Sequence, residues 1–399
     1  MLRKIILTTT SVLALSSVAQ ADTTKIGDVF VIAMENQNSA VAGVNTSGLN
    51  PIYSNPAATY INSLITPGNP NAADVSYSSN YTNIIYNSTN DLHPSEPNYI
   101  YQISGQFGVL GSDAVPSTAN GNLYGTGVAN LGQSLTSAGL TWKSYQEDIQ
   151  IPGVNVSGNF SGTNGPVNPY NGTTQYNYAA KHNPFVFFQG DSSPSNYAPL
   201  TQLSTDLANN TVANFNWITP DQYNDMHTAL NGSWTDPATG VTYFQSCTGH
   251  AAAVCGNQMN IAQGDYFLSQ IVPTIEASQA FQDNGLIVIW TDENEGDTPG
   301  TNSDYTNMEI LISKDAKGNA YTNFVPMNHS TDLETYLQLW GLDQAGYPTA
   351  IQTSDTFASL LKPGAITPVP EPGVWTMMLL GFAGVVGLGY CRPRLAAMT

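Results

Sequence analysis

The chain has 399 residues, of which 41% are hydrophobic, and it carries a formal net charge of −19 at pH 7. This length can bury one large core or two smaller ones. The negative charge argues against binding nucleic acids or other polyanions through a basic surface. No arginine occurs between Arg3 and Arg392, so an enzyme of this composition that handles phosphate must use metal ions, histidines or backbone N–H groups instead. The body holds few lysines: Lys25, Lys143, Lys181, Lys314, Lys317 and Lys362.

The first 21 residues have the pattern of a secretory signal peptide. Arg3 and Lys4 precede a short apolar stretch, which ends in the small-residue sequence Ala19-Gln20-Ala21. A membrane anchor is the alternative interpretation, but the apolar stretch is short for one. We therefore expect the mature chain to begin at Asp22 and the protein to be exported.

Residues 22–367 alternate between apolar runs and helical stretches, which favours an α/β fold with a central sheet covered by helices. The runs that predict buried strands are "DVFVIAM" (28–34), "VANFNWI" (212–218), "LIVIWT" (286–291) and "MEILIS" (308–313). The stretches that predict helices are 55–65, 130–140, 264–281 and 330–342. The last helix has Ser330 or Thr331 as its expected cap, with Glu334 in capping-box spacing. Long polar segments at 68–90, 111–128 and 152–180 predict loops, where the sites of α/β proteins form.

Two of the predicted strands end in a carboxylate followed by another oxygen ligand. Glu35-Asn36 follow "DVFVIAM", and Asp292-Glu293 follow "LIVIWT". If the strands are parallel neighbours, the two pairs meet at one edge of the sheet. Like charges packed there need a neutralising partner, and these oxygens suit a divalent metal ion. Each pair alone equally fits a solvated loop or a helix cap; Glu295 and Asp297 we interpret as solvated loop charges.

Ser95 lies in the sequence "HPSEPNY", between Pro94 and Glu96-Pro97. The two prolines stiffen the backbone around the hydroxyl. A hydroxyl held rigidly beside a metal ion can attack phosphorus. The spacing alone also fits a Pro-rich turn with an idle serine.

Four of the five histidines lie in turns that contain other polar ligands. Asn183 follows one of them, and Asp225 lies two residues before another. A single histidine is more often structural, but four in such contexts, in a chain short of arginine, indicate a shell around a phosphate or a metal. These histidines are His93, His182, His227 and His329.

Cys247 and Cys255 flank "TGHAAAV" in the body of the chain. In an oxidising compartment this pair predicts a disulfide that closes a small loop. A metal-binding role is the alternative, but no further cysteine lies nearby. Cys391 belongs to the C-terminal segment.

Residues 368–399 form a separate C-terminal segment. Pro370-Glu371-Pro372 precedes an apolar run from Val374 to Tyr390, and Arg392 and Arg394 follow it. This arrangement resembles the PEP-CTERM sorting tail of Gram-negative bacteria. The resemblance implies transient anchoring by a short transmembrane segment, processing by sorting machinery at the membrane, and a final location in the periplasm, at the outer surface or in the extracellular matrix. A plain C-terminal anchor is the alternative.

Taken in order, the blocks between Val29 and Leu342 resemble the secreted phosphoesterase family of bacterial and fungal acid phosphatases and phospholipases C. The blocks are "VFVIAMEN", "HPSEPNY", "W..YQEDI", "KHNPFVFF", "NWITPDQYNDMH", "GDYFLSQIVP", "GLIVIWTDENEGD" and "NHSTDLETYLQLWGL". The resemblance implies a three-layer α/β/α sandwich with a mainly parallel sheet, like that of alkaline phosphatase. Two departures are visible: Met226 replaces the glycine that is usual after Asp225, and "YQEDI" lacks a final proline.

The resemblance also implies roles for individual residues. The metal ligands would be Glu35, Asn36, Ser95, Asp292 and Glu293. Ser95 would be the nucleophile, with His182 and His227 as further catalytic groups. The substrate phosphate would be met by His93, Asn183, Asp225 and His329.

These inferences lead to the hypothesis of an exported, metal-dependent phosphomonoesterase of the acid phosphatase type, acting on a small-molecule or lipid phosphoester. The first alternative is a phospholipase C that cleaves phospholipid diesters. The second is a surface or matrix protein that keeps the fold without catalysis.

Overall fold

The computed structural model describes residues 26–39, 51–87, 90–149, 177–295 and 306–366. The predicted signal peptide and the predicted sorting tail lie outside these residues. Among the helices that are described, none is both long and apolar enough to cross a lipid bilayer. The elements in chain order are β1 (Val29–Met34), α1 (Thr59–Leu64), β2 (Val75–Ser78), α2 (Ser95–Ser104), α3 (Leu131–Ser137), β3 (Trp142–Gln146), β4 (Tyr197–Pro199), α4 (Thr201–Asn209), β5 (Phe215–Thr219), β6 (Ser233–Thr235), β7 (Thr242–Phe244), α5 (Asn257–Glu276), α6 (Gln279–Gln282), β8 (Leu286–Thr291), β9 (Glu309–Ile312), β10 (Tyr321–Asn323), α7 (His329–Leu339) and α8 (Thr349–Gln352).

The central feature is an eight-stranded sheet with the strand order β10-β2-β9-β8-β1-β5-β3-β4. β1 lies between β8 and β5 and runs parallel to both. β9 is antiparallel to both of its neighbours, whereas the other pairs are parallel. The sheet is therefore mainly parallel, as the sequence predicts. The run "MEILIS" predicted strand β9 but not its reversed direction.

Helices cover both faces of this sheet. Alternate residues of β1 point to opposite faces, so the strand contributes to two separate cores. Val29, Val31 and Ala33 join a core built with α2, α3 and α7. Phe30, Ile32 and Met34 join a second core built with α1, α4, α5 and α6. Every residue of β1 and β8 is buried, as expected for central strands of a covered sheet. The expected three-layer α/β/α sandwich is confirmed.

Three local details differ from the sequence-based expectations. Residues 68–90, expected as loop, contain β2. α5 begins at Asn257, whereas the predicted helix begins at residue 264. α7 is capped by Asn328, not by Ser330 or Thr331: the Asn328 side chain accepts from the N–H of Ser330, and Thr331 Oγ1 accepts from the N–H of Asn328.

A small hairpin, β6–β7, lies outside the main sheet. The chain then enters a loop closed by a disulfide between Cys247 and Cys255, the pair that the sequence predicts. Cys255 is directly followed by Gly256, which caps α5. The disulfide therefore lies next to the start of the helix whose first turn reaches the site.

Candidate active site

The site lies at the carboxyl ends of β1 and β8. These strands pair in register from Val29 with Leu286 to Met34 with Thr291, so Glu35 and Asp292 leave the sheet side by side. The N–H of Asn36 donates to Asp292 Oδ1 at 3.1 Å, which ties the two strand ends together. Asn36 has a φ of 48° and turns the chain sharply after β1. Glu35-Asn36 and Asp292-Glu293 therefore lie at one edge of the sheet.

Ser95 is the first residue of α2, and its side chain is directed to the same edge. Its Oγ donates to Glu35 Oε2 at 3.0 Å, and the residue is only 2% exposed. Ser95 lies at the N-terminus of this ten-residue helix, where the positive end of the helix dipole favours negative charge. The sequence predicts a rigidly held hydroxyl beside a metal ion, and the structure places this hydroxyl against the carboxylate of Glu35.

A buried cluster joins Glu35 to two residues from other loops. His182 Nε2 lies 3.1 Å from Glu35 Oε1, and His182 Nδ1 lies 3.3 Å from Asp225 Oδ2. The imidazole ring stacks on Tyr99 of α2 with a centroid distance of 4.9 Å. Burial, then the charges of Asp292 and Asp225, raises the pKa of Glu35 well above its usual value. His182, for which the resemblance implies a catalytic role, is held between two carboxylates.

This cluster fits a divalent cation. One ligand atom from each of Glu35, His182 and Asp225 lies within 4.8 Å of the others. Neither His182 nitrogen makes a hydrogen bond of acceptable geometry, and neither do Glu35 Oε1 and Asp225 Oδ2, although all four atoms are buried. A neutral imidazole has one N–H, and ionised carboxylates only accept, so with both carboxylates ionised one of the two contacts of a neutral His182 lacks a hydrogen. Asp292 Oδ2 is likewise buried without a partner. Oxygen and imidazole donors of this kind bind divalent metals.

His93 holds Glu293, the third carboxylate of the two strand ends. Its Nδ1 lies 2.9 Å from Glu293 Oε2, and its Nε2 lies 3.2 Å from Asp91 Oδ2. Burial lowers the pKa of His93, but the hydrogen bonds to Asp91 and Glu293 outweigh burial and raise it to about 10. Asn98 Nδ2 also donates to Glu293 Oε2, at 3.1 Å. Glu293 is therefore fixed in orientation by a charged histidine that itself borders the cleft described below.

Asp225 and His227 lie on the loop that follows β5. The N–H of His227 donates to Asp225 Oδ1 at 2.8 Å, and the carbonyl of Asp225 accepts from the N–H of Glu35. Between them Met226 has a φ of 84°, a conformation that favours glycine. Its side chain is fully buried and packs against Gly264, where a Cβ would lie 2.3 Å from Met226 Cγ. The departure from the family pattern at this position is thus accommodated by packing.

Three of the expected phosphate-contacting residues do not line the cleft described below: Asp225, which is buried in the cluster above, His329 and Asn183. His329 is fully buried at the start of α7; its Nε2 donates to the carbonyl of Asp292 at 2.8 Å, and its Nδ1 faces Tyr81 Oη at 2.8 Å. Asn183 is also fully buried, and its Oδ1 accepts from Ser144 Oγ of β3 at 3.0 Å. His329 therefore contacts the backbone of Asp292, and Asn183 contacts β3, so neither side chain is directed into the cleft.

Lys181 is a site residue that the sequence analysis missed. Its Nζ is paired with Asp113, and its charge lowers the pKa values of Glu35, Asp225 and Asp292, after larger effects of burial in each case. Its position next to His182 was the available signal. Tyr99, which stacks on His182, was missed as well, because nothing in its local sequence points to the site.

A cleft of about 430 Å³ opens beside these groups. Asn36, His93 and Glu293 line it, and so do His227, Asn257 and Glu295. We expected Glu295 to be a solvated loop charge. Instead, its Oε2 accepts a hydrogen bond from Asn257 Nδ2 at 2.7 Å. Asp297 lies outside the described residues. Burial, then the charge of Lys181, lowers the pKa of His227 to about 4.

Comparison with known proteins gives matches along most of the chain. The profile of the Phosphoesterase family matches residues 71–328. The phosphatidylinositol-3-phosphatase of Mycobacterium tuberculosis is 26% identical over 332 residues, which cover 80% of this chain and 79% of that protein. An acid phosphatase of Aspergillus fumigatus is 30% identical over 171 residues, or 39% of this chain. The match covers about a third of the length of the Aspergillus fumigatus enzyme. A match to a probable acid phosphatase of Kluyveromyces lactis likewise covers about a third of that protein. An alkaline phosphatase superfamily protein of Vibrio parahaemolyticus superposes with a TM-score of 0.47 and 12% identity, covering 80% of this chain and 68% of that one.

Proposed function

We propose, because the chain belongs to the Phosphoesterase family, that it is a metal-dependent phosphomonoesterase in which Ser95 is the nucleophile. The observation that carries the proposal is the 3.0 Å hydrogen bond from Ser95 Oγ to Glu35 Oε2, at an edge where Asp292 and Glu293 also end a strand. An idle serine in a Pro-rich turn would not need to be buried against a cluster of carboxylates. The acid phosphatase relatives support phosphoester hydrolysis as the reaction class.

Glu35 would be the central ligand of the metal centre. It contacts Ser95 through one oxygen and faces His182 through the other. We assign Asn36, Asp292 and Glu293 to the same ion, and His182 and Asp225 to it or to a second ion that shares Glu35. A divalent ion bound here supplies positive charge that lowers the pKa of a bound hydroxyl and stabilises charge on phosphoryl oxygens.

The remaining chemistry falls to residues of the chain. The Ser95 hydroxyl would form the new O–P bond in line as the bond from phosphorus to the departing oxygen breaks, and its proton would pass to Glu35 Oε2, which already accepts its hydrogen bond. His227 borders the cleft and is the residue we assign to protonate the leaving oxygen, which requires its charged form and hence acidic pH, because burial lowers its pKa to about 4. His93, charged and fixed by Glu293 and Asp91, offers a positive group at the same cleft. Water then releases phosphate from Ser95.

The test is activity on an aryl phosphate after removal of metal with a chelator and addition of single divalent ions. We expect activity to vanish on stripping and to return with one ion. Ser95→Ala should lower kcat by roughly a thousandfold or more, whereas the exposed Ser204→Ala should leave it unchanged. Near-normal turnover by Ser95→Ala would refute the mechanism. Activity on a phosphocholine diester but not on the monoester would favour a phospholipase C, and no activity with any ion would favour a non-catalytic surface protein.

Export is part of the same proposal. It is supported by the signal-like residues 1–21 and by the sorting-tail pattern of residues 368–399. Fractionation of cells that express the full chain tests it. Recovery of the protein only in the cytoplasm, with an intact N-terminus, would contradict it.

A further inference from the structure

The cleft is larger than a phosphoryl group requires. Its volume of about 430 Å³ lies in the range of small-molecule sites. Resting on the proposed function, we infer that this cleft holds the alcohol part of the substrate and that this alcohol is polyhydroxylated, as in a sugar, a cyclitol or glycerol.

Carboxamide side chains are the main polar lining of the cleft. Each one offers neutral N–H donors and a carbonyl acceptor, which together match the donor and acceptor of an alcohol hydroxyl. They come from three parts of the chain: the end of β1, the first turn of α5 and the end of β8. These residues are Asn36, Gln37, Asn257, Asn260 and Asn294.

Part of this lining is already ordered by its own hydrogen bonds. Gln37 Nε2 donates to Asn257 Oδ1 at 3.1 Å, and Asn257 Nδ2 lies 3.2 Å from Gln37 Oε1. Asn257 Nδ2 also donates to Glu295 Oε2. Because these contacts fix the direction of both amides, a ligand would not have to order them, which favours binding.

One other amide has unused hydrogen-bonding capacity. Asn260 Nδ2 donates to the carbonyl of His227 at 3.1 Å, but Asn260 Oδ1 is buried without a hydrogen-bond partner. Buried polar atoms without partners destabilise the protein, so this oxygen calls for an explanation. A hydroxyl group of a ligand, which can donate, would satisfy it. Asn294 is fully buried, and its side chain interacts with Asn83 and Asp91.

The charge and shape of the lining disfavour other alcohols. Glu293 and Glu295 are acidic, and none of the described lining residues is lysine or arginine, so further phosphate groups on the alcohol would be repelled. The described lining also contains no aromatic ring other than the two histidines, and Pro94 and Met226 are its larger apolar residues. An aryl group or a nucleobase would therefore find little to stack on.

The test measures binding by calorimetry to the full-length, cation-loaded Ser95→Ala protein, which removes the proposed nucleophile. The ligands are myo-inositol 1-phosphate, glycerol 2-phosphate and phenyl phosphate. We expect the two polyol phosphates to bind about tenfold more tightly than phenyl phosphate. Asn257→Ala combined with Asn260→Ala should reduce this preference to about threefold or less, whereas the exposed Asn209→Ala should leave it unchanged. If the double variant fails to fold, Asn260→Ala alone makes the same comparison.

Equal affinity for polyol and phenyl phosphates, or an equal loss for both in the variants, would overturn the inference. A short-chain, water-soluble lysophosphatidic acid, which carries one phosphate on an acylated glycerol, distinguishes the source of the polyol: tighter binding than glycerol 2-phosphate indicates a lipid, and equal binding indicates a soluble ester. Turnover of glycerol 2-phosphate and of phenyl phosphate by the unsubstituted protein is measured separately. Absence of turnover of both esters would contradict the phosphatase proposal, while the binding preference still decides the nature of the alcohol.

Discussion

Asn224 Nδ2 lies within hydrogen-bond distance of both carboxylate oxygens of Glu147, at 3.1 and 3.0 Å. Glu147 directly follows β3, and the same carboxylate accepts from the N–H of Asp221 at 2.9 Å. Asn224 in turn precedes Asp225, which faces His182. Glu147 therefore positions the loop that carries Asp225 and His227, without itself lining the cleft.

Glu147→Ala should lower kcat by roughly 10- to 100-fold, the range typical for losing a residue that orients a ligand. KM should change little, because the cleft residues on α5 stay in place. Glu147→Gln should recover much of the loss, since its carbonyl can still accept one of these hydrogen bonds. Steady-state kinetics at several substrate concentrations measures both variants, with the exposed Asp283→Ala as the control. Equal losses in the Ala and Gln variants would contradict a positioning role.

Lys181 places a positive charge near the buried carboxylates of the site. Its removal should lower the stability of the metal-free protein and raise its affinity for a divalent ion. Without Lys181 the carboxylates repel one another more strongly, so Lys181→Met should lower the free energy of unfolding of metal-free protein by about 1–3 kcal/mol. The same change removes a charge that repels an incoming ion, so divalent cations should bind more tightly.

Thermal unfolding with and without added cation measures both effects of Lys181→Met. The cation should raise Tm more in this variant than in the unsubstituted protein or in the exposed Lys314→Met. A smaller rise in Lys181→Met would show that Lys181 does not act on the ion site.

The strand ends of the site could be predicted from the sequence, because β1 and β8 are unbroken apolar runs and each is directly followed by acidic residues. Their pairing in register then follows from the mainly parallel sheet. Strand β2 was missed because "VSYS" is only four residues long, and so short an alternation does not stand out within a polar segment.

The orientation of individual side chains was beyond the sequence for a different reason. Asn183 follows the short turn Ala180–His182, and its contact with Ser144 depends on how that turn packs against β3. The same packing brings Lys181 to the carboxylates. Local sequence predicts that polar residues gather in a turn, but it does not say which of them face the cleft.

His329 should act through Asp292 rather than on the substrate. Burial lowers its pKa to about 3, so the ring is neutral, and Nε2 must carry the hydrogen because the Asp292 carbonyl only accepts. His329→Phe should lower the affinity for the divalent cation by roughly 10- to 100-fold, and His329→Gln should lose less. Metal titration of each variant gives the affinity, with the exposed His250→Phe as the control. Unchanged affinity together with a large rise in KM would instead indicate direct contact with substrate.

Asp191 should make stability depend on pH, far from the metal ligands. Burial against α3, where a Cβ on Gly132 would lie 2.9 Å from Asp191 Oδ2, raises the pKa of Asp191 to about 8. Between the unfolded pKa of about 3.9 and this value the folded chain binds one more proton than the unfolded chain, so stability falls as pH rises. Asp191→Asn removes this proton dependence. It should change stability little at pH 4 and raise the free energy of unfolding at pH 8 by on the order of a few kcal/mol. Urea unfolding at both pH values measures the difference, with the exposed Asp355→Asn as the control. A gain of the same size at pH 4 and pH 8 would mean that the carboxyl of Asp191 ionises normally in the folded chain.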